Sequence, residues 1–104
     1  MPTESRVLTF SNNEAVEALK EYCAATKREL PKGGIQRLAF SNDVEIKVTA
    51  EFEGGAPPIR FLENEVAVAL IMLCSKRSIP VARRAIKSLQ IAQDTISLHL
   101  SLRS

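Results

Sequence analysis

The side chains of this sequence that could take part in catalysis are few and lie far apart. His99 is the only histidine, and it stands between Ser97 and Ser101 in the alternating segment Thr95–Leu102. Residues two apart on a strand are roughly 6–7 Å apart along the chain and project in parallel, so these serines do not pair with His99 as nucleophile and base. We interpret His99 as a solvated surface residue and predict no catalytic set.

Metal and redox chemistry have equally little support. Cys23 and Cys74 form no C-x-x-C pair, and each stands in an apolar pattern in which a free cysteine behaves as a small hydrophobic residue. Two cysteines and one histidine at unrelated spacings predict no zinc site. The pairs Gly33-Gly34 and Gly54-Gly55 match neither the P-loop nor the dinucleotide-binding fingerprint. We therefore expect no metal and no cofactor.

A group of five basic residues is the strongest candidate for a binding site. Residues 1–65 carry 8 basic and 11 acidic side chains, whereas residues 66–104 carry 6 basic and 1 acidic. Cations around a tight turn between two helices can hold phosphates, so a nucleic acid or another anionic ligand is one predicted partner. The candidate residues are Lys76, Arg77, Arg83, Arg84 and Lys87.

The periodicity of the first half predicts the elements that precede this group. Arg6–Phe10 predicts a strand, and Ser11 with Glu14 forms an S-x-x-E capping box that predicts the start of a helix. Ile35–Phe40 and Val44–Glu53 predict a hairpin, because the second arm alternates strictly between apolar and polar residues.

The second half is predicted to hold a short strand at Ile59–Leu62, two more helices and a last strand. The apolar run Val66–Cys74 has acids before it and bases after it, which is helix polarity, and a helix apolar on nearly all sides should be deeply buried. Pro80 can begin a third helix, and Thr95–Leu102 alternates as a strand. A turn at 92–94 would also allow Leu89–Ile91 to pair with that strand. The third helix would have the apolar stripe Ala82, Ala85, Ile86 and Leu89.

We therefore predict a single α+β domain over residues 1–104 with the element order β-α-β-β-α-α-β. A mainly antiparallel sheet with the helices on one face would bury the apolar stripes. We detect no internal repeat. After the first strand, this order resembles one class of KH RNA-binding domain, but the G-x-x-G loop of that family is absent from the turn Lys76-Arg77-Ser78-Ile79.

Composition and surface pattern then indicate the class of function. The hydrophobic fraction of 45% and the charged fraction of 25% are typical of a folded domain. No apolar run approaches the roughly 20 residues that span a bilayer, so we expect no membrane partner. Without an export signal, the two thiols predict a cytoplasmic protein.

The last strand carries no charge before Arg103 and would be unprotected at a sheet edge. This pattern predicts a non-enzymatic module that binds a protein partner or itself as a homodimer. Nucleic-acid binding is the alternative.

Overall fold

The computed structural model describes residues 3–30, 34–42, 45–82, 85–92 and 95–103. This part of the chain holds two helices and six strands, and the predicted α+β class is confirmed. The elements are β1 (Thr3–Ser11), α1 (Asn12–Ala25), β2 (Ile35–Asn42), β3 (Ile46–Phe52), β4 (Ile59–Leu62), α2 (Glu63–Lys76), β5 (Ile86–Ile91) and β6 (Thr95–Arg103), with a single 3₁₀ turn at Glu53–Gly55. None of the described helices is long and apolar enough to cross a membrane.

The strands form two antiparallel sheets of three strands each instead of the single sheet that was predicted. Sheet A has the order β1-β6-β5, and sheet B has the order β2-β3-β4. The two helices pack against each other, and each helix contacts strands of both sheets. Alternate residues of the central strands β3 and β6 are buried in the core, as their period-two patterns require. The predicted architecture is thus confirmed in its class and in its antiparallel pairing.

The predicted third helix is wrong, because residues 86–91 form strand β5. Ile86, a member of the predicted apolar stripe, is 72% exposed, whereas Leu89 is buried opposite Leu98 of β6. Cross-strand contacts decide strand formation more than local preference does, and β6 offers β5 a strongly alternating partner. The predicted pairing of Leu89–Ile91 with the last strand is confirmed. The element order becomes β-α-β-β-β-α-β-β, which no longer resembles KH topology.

This order contains an internal repeat, contrary to the sequence prediction. The chain folds as β1-α1-β2-β3 followed by β4-α2-β5-β6, two β-α-β-β halves. The first strand of each half pairs with the last strand of the other, β1 with β6 and β4 with β3. Both helices have 14 residues, and they begin 51 positions apart at Asn12 and Glu63. Identical residues at the same spacing include Phe10/Phe61, Glu14/Glu65, Ala18/Ala69, Leu19/Leu70, Cys23/Cys74 and Leu38/Leu89.

Strand pairing aligns the last strands of the two halves at a different spacing. Phe10 and Phe61 are equivalent, and their partners are Ile96 in β6 and Val48 in β3. The hairpin partners of the equivalent residues Leu38 and Leu89 give the same alignment. Residues of β3 therefore correspond to residues of β6 that are 48 positions further along the chain. The shorter spacing arises within the second hairpin, where the partners Leu89 and Leu98 are nine positions apart, against twelve for Leu38 and Ala50.

Corresponding ion pairs join the two halves. Glu14 and Glu65 each accept the backbone N–H of the residue that precedes their helix, at 2.9 Å, which confirms the capping box predicted for α1. The second oxygen of each carboxylate pairs with an arginine of the opposite half, Glu14 with Arg77 and Glu65 with Arg28 at 3.3 Å. The guanidinium of Arg28 also lies 4.8 Å from the ring centre of Phe61. Each helix start is thus anchored to the other half.

Candidate interaction surface

The described part of the predicted basic site is divided between two places in the fold. Lys76 and Arg77 end α2 and pair with acids of α1, Lys76 with Glu21 at 2.6 Å and Arg77 with Glu14 and with Glu17 at 2.8 Å. The hydrogen bond to Glu21 raises the pKa of Lys76, and the hydrogen bond to Glu14 raises the pKa of Arg77. Both side chains stay cationic, but neighbouring carboxylates balance their charge.

Lys87 lies apart from these two residues. It is half-buried in β5 and donates a hydrogen bond to the backbone carbonyl of Ala85 at 2.9 Å. Arg83 and Arg84 lie outside the described residues. The predicted inter-helix turn is wrong, since α2 is followed by a strand in the described chain. Nucleic-acid binding by the five residues stays a prediction.

The two cysteines occupy equivalent positions on α1 and α2. Cys23 and Cys74 are both free and buried, as predicted. Burial raises the pKa of each thiol, and a protonated thiol is a poor nucleophile and a poor metal ligand. Within the described ranges, no group of three or more histidine, cysteine, aspartate or glutamate residues could hold a metal ion.

The outer face of sheet A presents nine residues without a carboxylate, an ammonium or a guanidinium group. Three residues from each strand form a three-by-three array, and His99 of the central strand β6 is at its centre. The rows, read from β1 through β6 to β5, are Ser5–Ser101–Ile86, Val7–His99–Ser88 and Thr9–Ser97–Gln90. We name these nine residues the uncharged face. Its aliphatic side chains are prominent, Val7 being 55% exposed and Ile86 72% exposed.

The repeat supplies an internal comparison, because sheet B has an equivalent outer face. At four positions, sheet B carries a charged residue where the outer face of sheet A has threonine, serine or histidine. The pairs, with the residue of sheet B first, are Arg60/Thr9, Arg37/Ser88, Glu51/His99 and Lys47/Thr95. On sheet B, Arg37 and Glu51 form a salt bridge of 2.7 Å. The fold therefore accepts charged residues at these positions.

A second apolar surface lies on the outer side of α2. The predicted deep burial of this helix holds on its inner side, where Val66, Ala69, Leu70, Leu73 and Cys74 are buried. On the outer side, Val68 is 46% exposed, and Ile71 and Met72 are half-buried. At the equivalent positions, α1 has the charged residues Glu17, Lys20 and Glu21. This strip borders a groove between α2 and β5. Nothing in the structure shows what covers it, and we assign it no partner.

The molecule also exposes more surface than a compact monomer of its size. Its accessible surface is 6860 Å², whereas a monomer of 11.5 kDa exposes roughly 5,800 Å². The shape is flattened, with extents of 53 × 28 × 19 Å and a radius of gyration of 14.2 Å, against roughly 13 Å for a compact chain of this length.

The sequence prediction of an unprotected edge at the last strand is wrong, because β6 is central, between β1 and β5. The prediction did find that the last strand lacks charge, but it missed the contributions of Val7 from β1 and of Ile86, Ser88 and Gln90 from β5. The available signal was the lack of charge at alternate positions of all three segments. This pattern was missed because residues 86–91 were interpreted as a helix, in which alternate residues do not share a face.

No family model, no curated protein and no solved structure matches this chain. Its function therefore has to be inferred from its own surfaces.

Proposed function

We propose that this chain is a non-enzymatic module that self-associates through the uncharged face of sheet A. The observation that carries the proposal is the lack of charge across nine adjacent outer positions, three of which correspond to charged residues of sheet B, Arg37, Glu51 and Arg60. The two buried thiols suit a reducing compartment, so we place the module in the cytoplasm.

The lack of charge matters because two copies related by a twofold axis present the same patch to each other. A charged residue near the axis would meet its own copy, and each charge would lose water on burial. The uncharged face has neither cost. Hydroxyl side chains can hydrogen-bond across the contact, as Thr9 and Ser97 already do within the sheet at 3.1 Å. Val7 and Ile86 provide apolar area that is exposed to solvent in the monomer and would be buried in the dimer.

The dimensions of the sheet set the expected size of the interface. Three strands ~4.8 Å apart, each contributing about six residues at a rise of ~3.3 Å per residue, give the uncharged face a flat area of roughly 290 Å². A pair of such faces buries roughly 600 Å², less than the ~1,000 Å² that a stable interface exceeds, so we expect a weak, transient dimer with a dissociation constant on the order of 100 μM. The module would thus dimerise reversibly as its concentration rises.

Sedimentation velocity on matched variants tests the proposal. Ser97→Lys places one cation on the uncharged face, and Thr49→Lys places one at the equivalent outer position of sheet B. We expect the wild type and Thr49→Lys to shift from monomer towards dimer between about 10 and 200 μM, and Ser97→Lys to stay monomeric over this range because like charges would meet in the interface. Equal dimerisation of the two variants would exclude the uncharged face as the contact, and a monomeric wild type would overturn self-association itself.

A further inference from the structure

His99 stands at the centre of the uncharged face, and we infer that its protonation controls self-association. This inference rests on the proposed function. His99 is the central position of the array, and we place the twofold axis of the proposed dimer through it, which brings the two copies of this side chain together. No other residue of the array can become a cation.

Within the described strands of sheet A, the outer-face neighbours of His99 are all uncharged. Val7 of β1 and Ser88 of β5 lie directly opposite it, and Ser97 and Ser101 precede and follow it on the same face of β6. The four corner residues are also uncharged: Ser5, Thr9, Ile86 and Gln90. In the dimer, the second copy presents the same nine residues. A protonated His99 would therefore find no carboxylate among these nine residues of either copy.

The two protonation states of histidine differ in what they can bind. A neutral imidazole has one donor and one acceptor nitrogen, so two neutral copies of His99 can hydrogen-bond to each other across the axis. Two imidazolium groups have donors only, and they repel each other. Self-association should therefore be stronger while His99 is neutral than once it has gained a proton. The module would release its partner copy as the pH falls through the range in which histidine becomes charged.

The test measures the dimer dissociation constant by sedimentation at about pH 7.5 and about pH 5, for the wild type and for His99→Gln. The amide of Gln keeps a donor and an acceptor but cannot become a cation. We expect the wild-type constant to rise more than tenfold at the lower pH and the constant of His99→Gln to change less than threefold. The chain has one histidine, so no second imidazole contributes to this difference.

The outcomes separate this inference from the proposal beneath it. If the wild type is a dimer with the same constant at both pH values, the switch is refuted and self-association stands. An equal weakening of the wild type and of His99→Gln would also refute the switch, because another titrating group would then be responsible. If the wild type is a monomer at both pH values, the proposed function fails first.

Discussion

Replacement of Glu14 should destabilise the protein through two separable contacts. The side chain accepts the backbone N–H of Ser11 and pairs with Arg77 of the other half. Glu14→Ala removes both contacts, whereas Glu14→Gln keeps an amide oxygen as acceptor and loses the charge. Comparison of the two variants therefore separates the contribution of the helix cap to stability from that of the ion pair.

The magnitudes follow from the exposure of each contact. Loss of the cap costs about 1 kcal/mol, and loss of the partly exposed ion pair with Arg77 adds a smaller cost. We expect Glu14→Ala to lower the free energy of unfolding by about 1–2 kcal/mol and Glu14→Gln by less than about 1 kcal/mol. With an unfolding entropy of roughly 0.2 kcal/mol/K for a chain of this length, Glu14→Ala should lower the midpoint temperature by about 5–9 °C.

The effect should also depend on pH. The Ser11 N–H, together with Arg77, lowers the pKa of the Glu14 carboxyl in the folded state. A group whose pKa is depressed on folding contributes stability above its unfolded pKa and loses it as the pH falls through the folded pKa. The difference in stability between wild type and Glu14→Gln should therefore be largest near neutral pH and vanish in acid.

Thermal and urea unfolding at one protein concentration measure these differences, and the repeat supplies the control. Glu65 has the same two roles in α2, with Arg28 as its partner, so Glu65→Ala should cost at least as much as Glu14→Ala. A Glu14→Ala variant within about 0.3 kcal/mol of wild type would refute the assignment of cap and ion pair. A constant difference between wild type and Glu14→Gln down to strongly acidic pH would refute the assigned pKa shift.

Two further predictions concern the cysteines and the basic residues. Cys23 and Cys74 should react slowly with a thiol reagent in the native protein and rapidly in denaturant, because both are buried; rapid native labelling of either would contradict the burial. Because Lys76 and Arg77 are paired with carboxylates, duplex DNA should show no measurable binding by fluorescence anisotropy at about 150 mM salt, and any low-salt binding should have a log–log salt slope shallower than about −3. A slope of about −4 or steeper would mean that the basic residues act together after all.

Local signals in the sequence were sufficient wherever neighbours along the chain decide the structure. The capping box at Ser11 and Glu14 placed the start of α1, and the alternation from Ile46 to Phe52 placed β3 with its buried face. Burial of both cysteines followed from their positions in apolar patterns. In each case the decisive contacts are a few residues away or follow from simple periodicity.

Sequence reasoning failed where a distant strand decides the outcome. Residues 82–89 have a helical apolar spacing, yet β6 pairs with Ile86–Ile91 and holds it as a strand. That error removed one strand from the predicted structure of sheet A. It also concealed the second β-α-β-β half, which shares few identical residues with the first. The uncharged face could not be assembled without it, because its nine residues come from three strands whose registers are set by pairing.

An NMR dilution series on the wild type tests self-association and its location together. Amide resonances would be followed from about 500 μM to about 10 μM at neutral pH, a range that spans the expected micromolar dissociation constant. Self-association through the uncharged face predicts concentration-dependent shifts in the strands of sheet A, centred on His99, while Thr49 and its neighbours on sheet B stay unchanged. Shifts confined to sheet B or to the outer side of α2, or no shift at any residue, would contradict it.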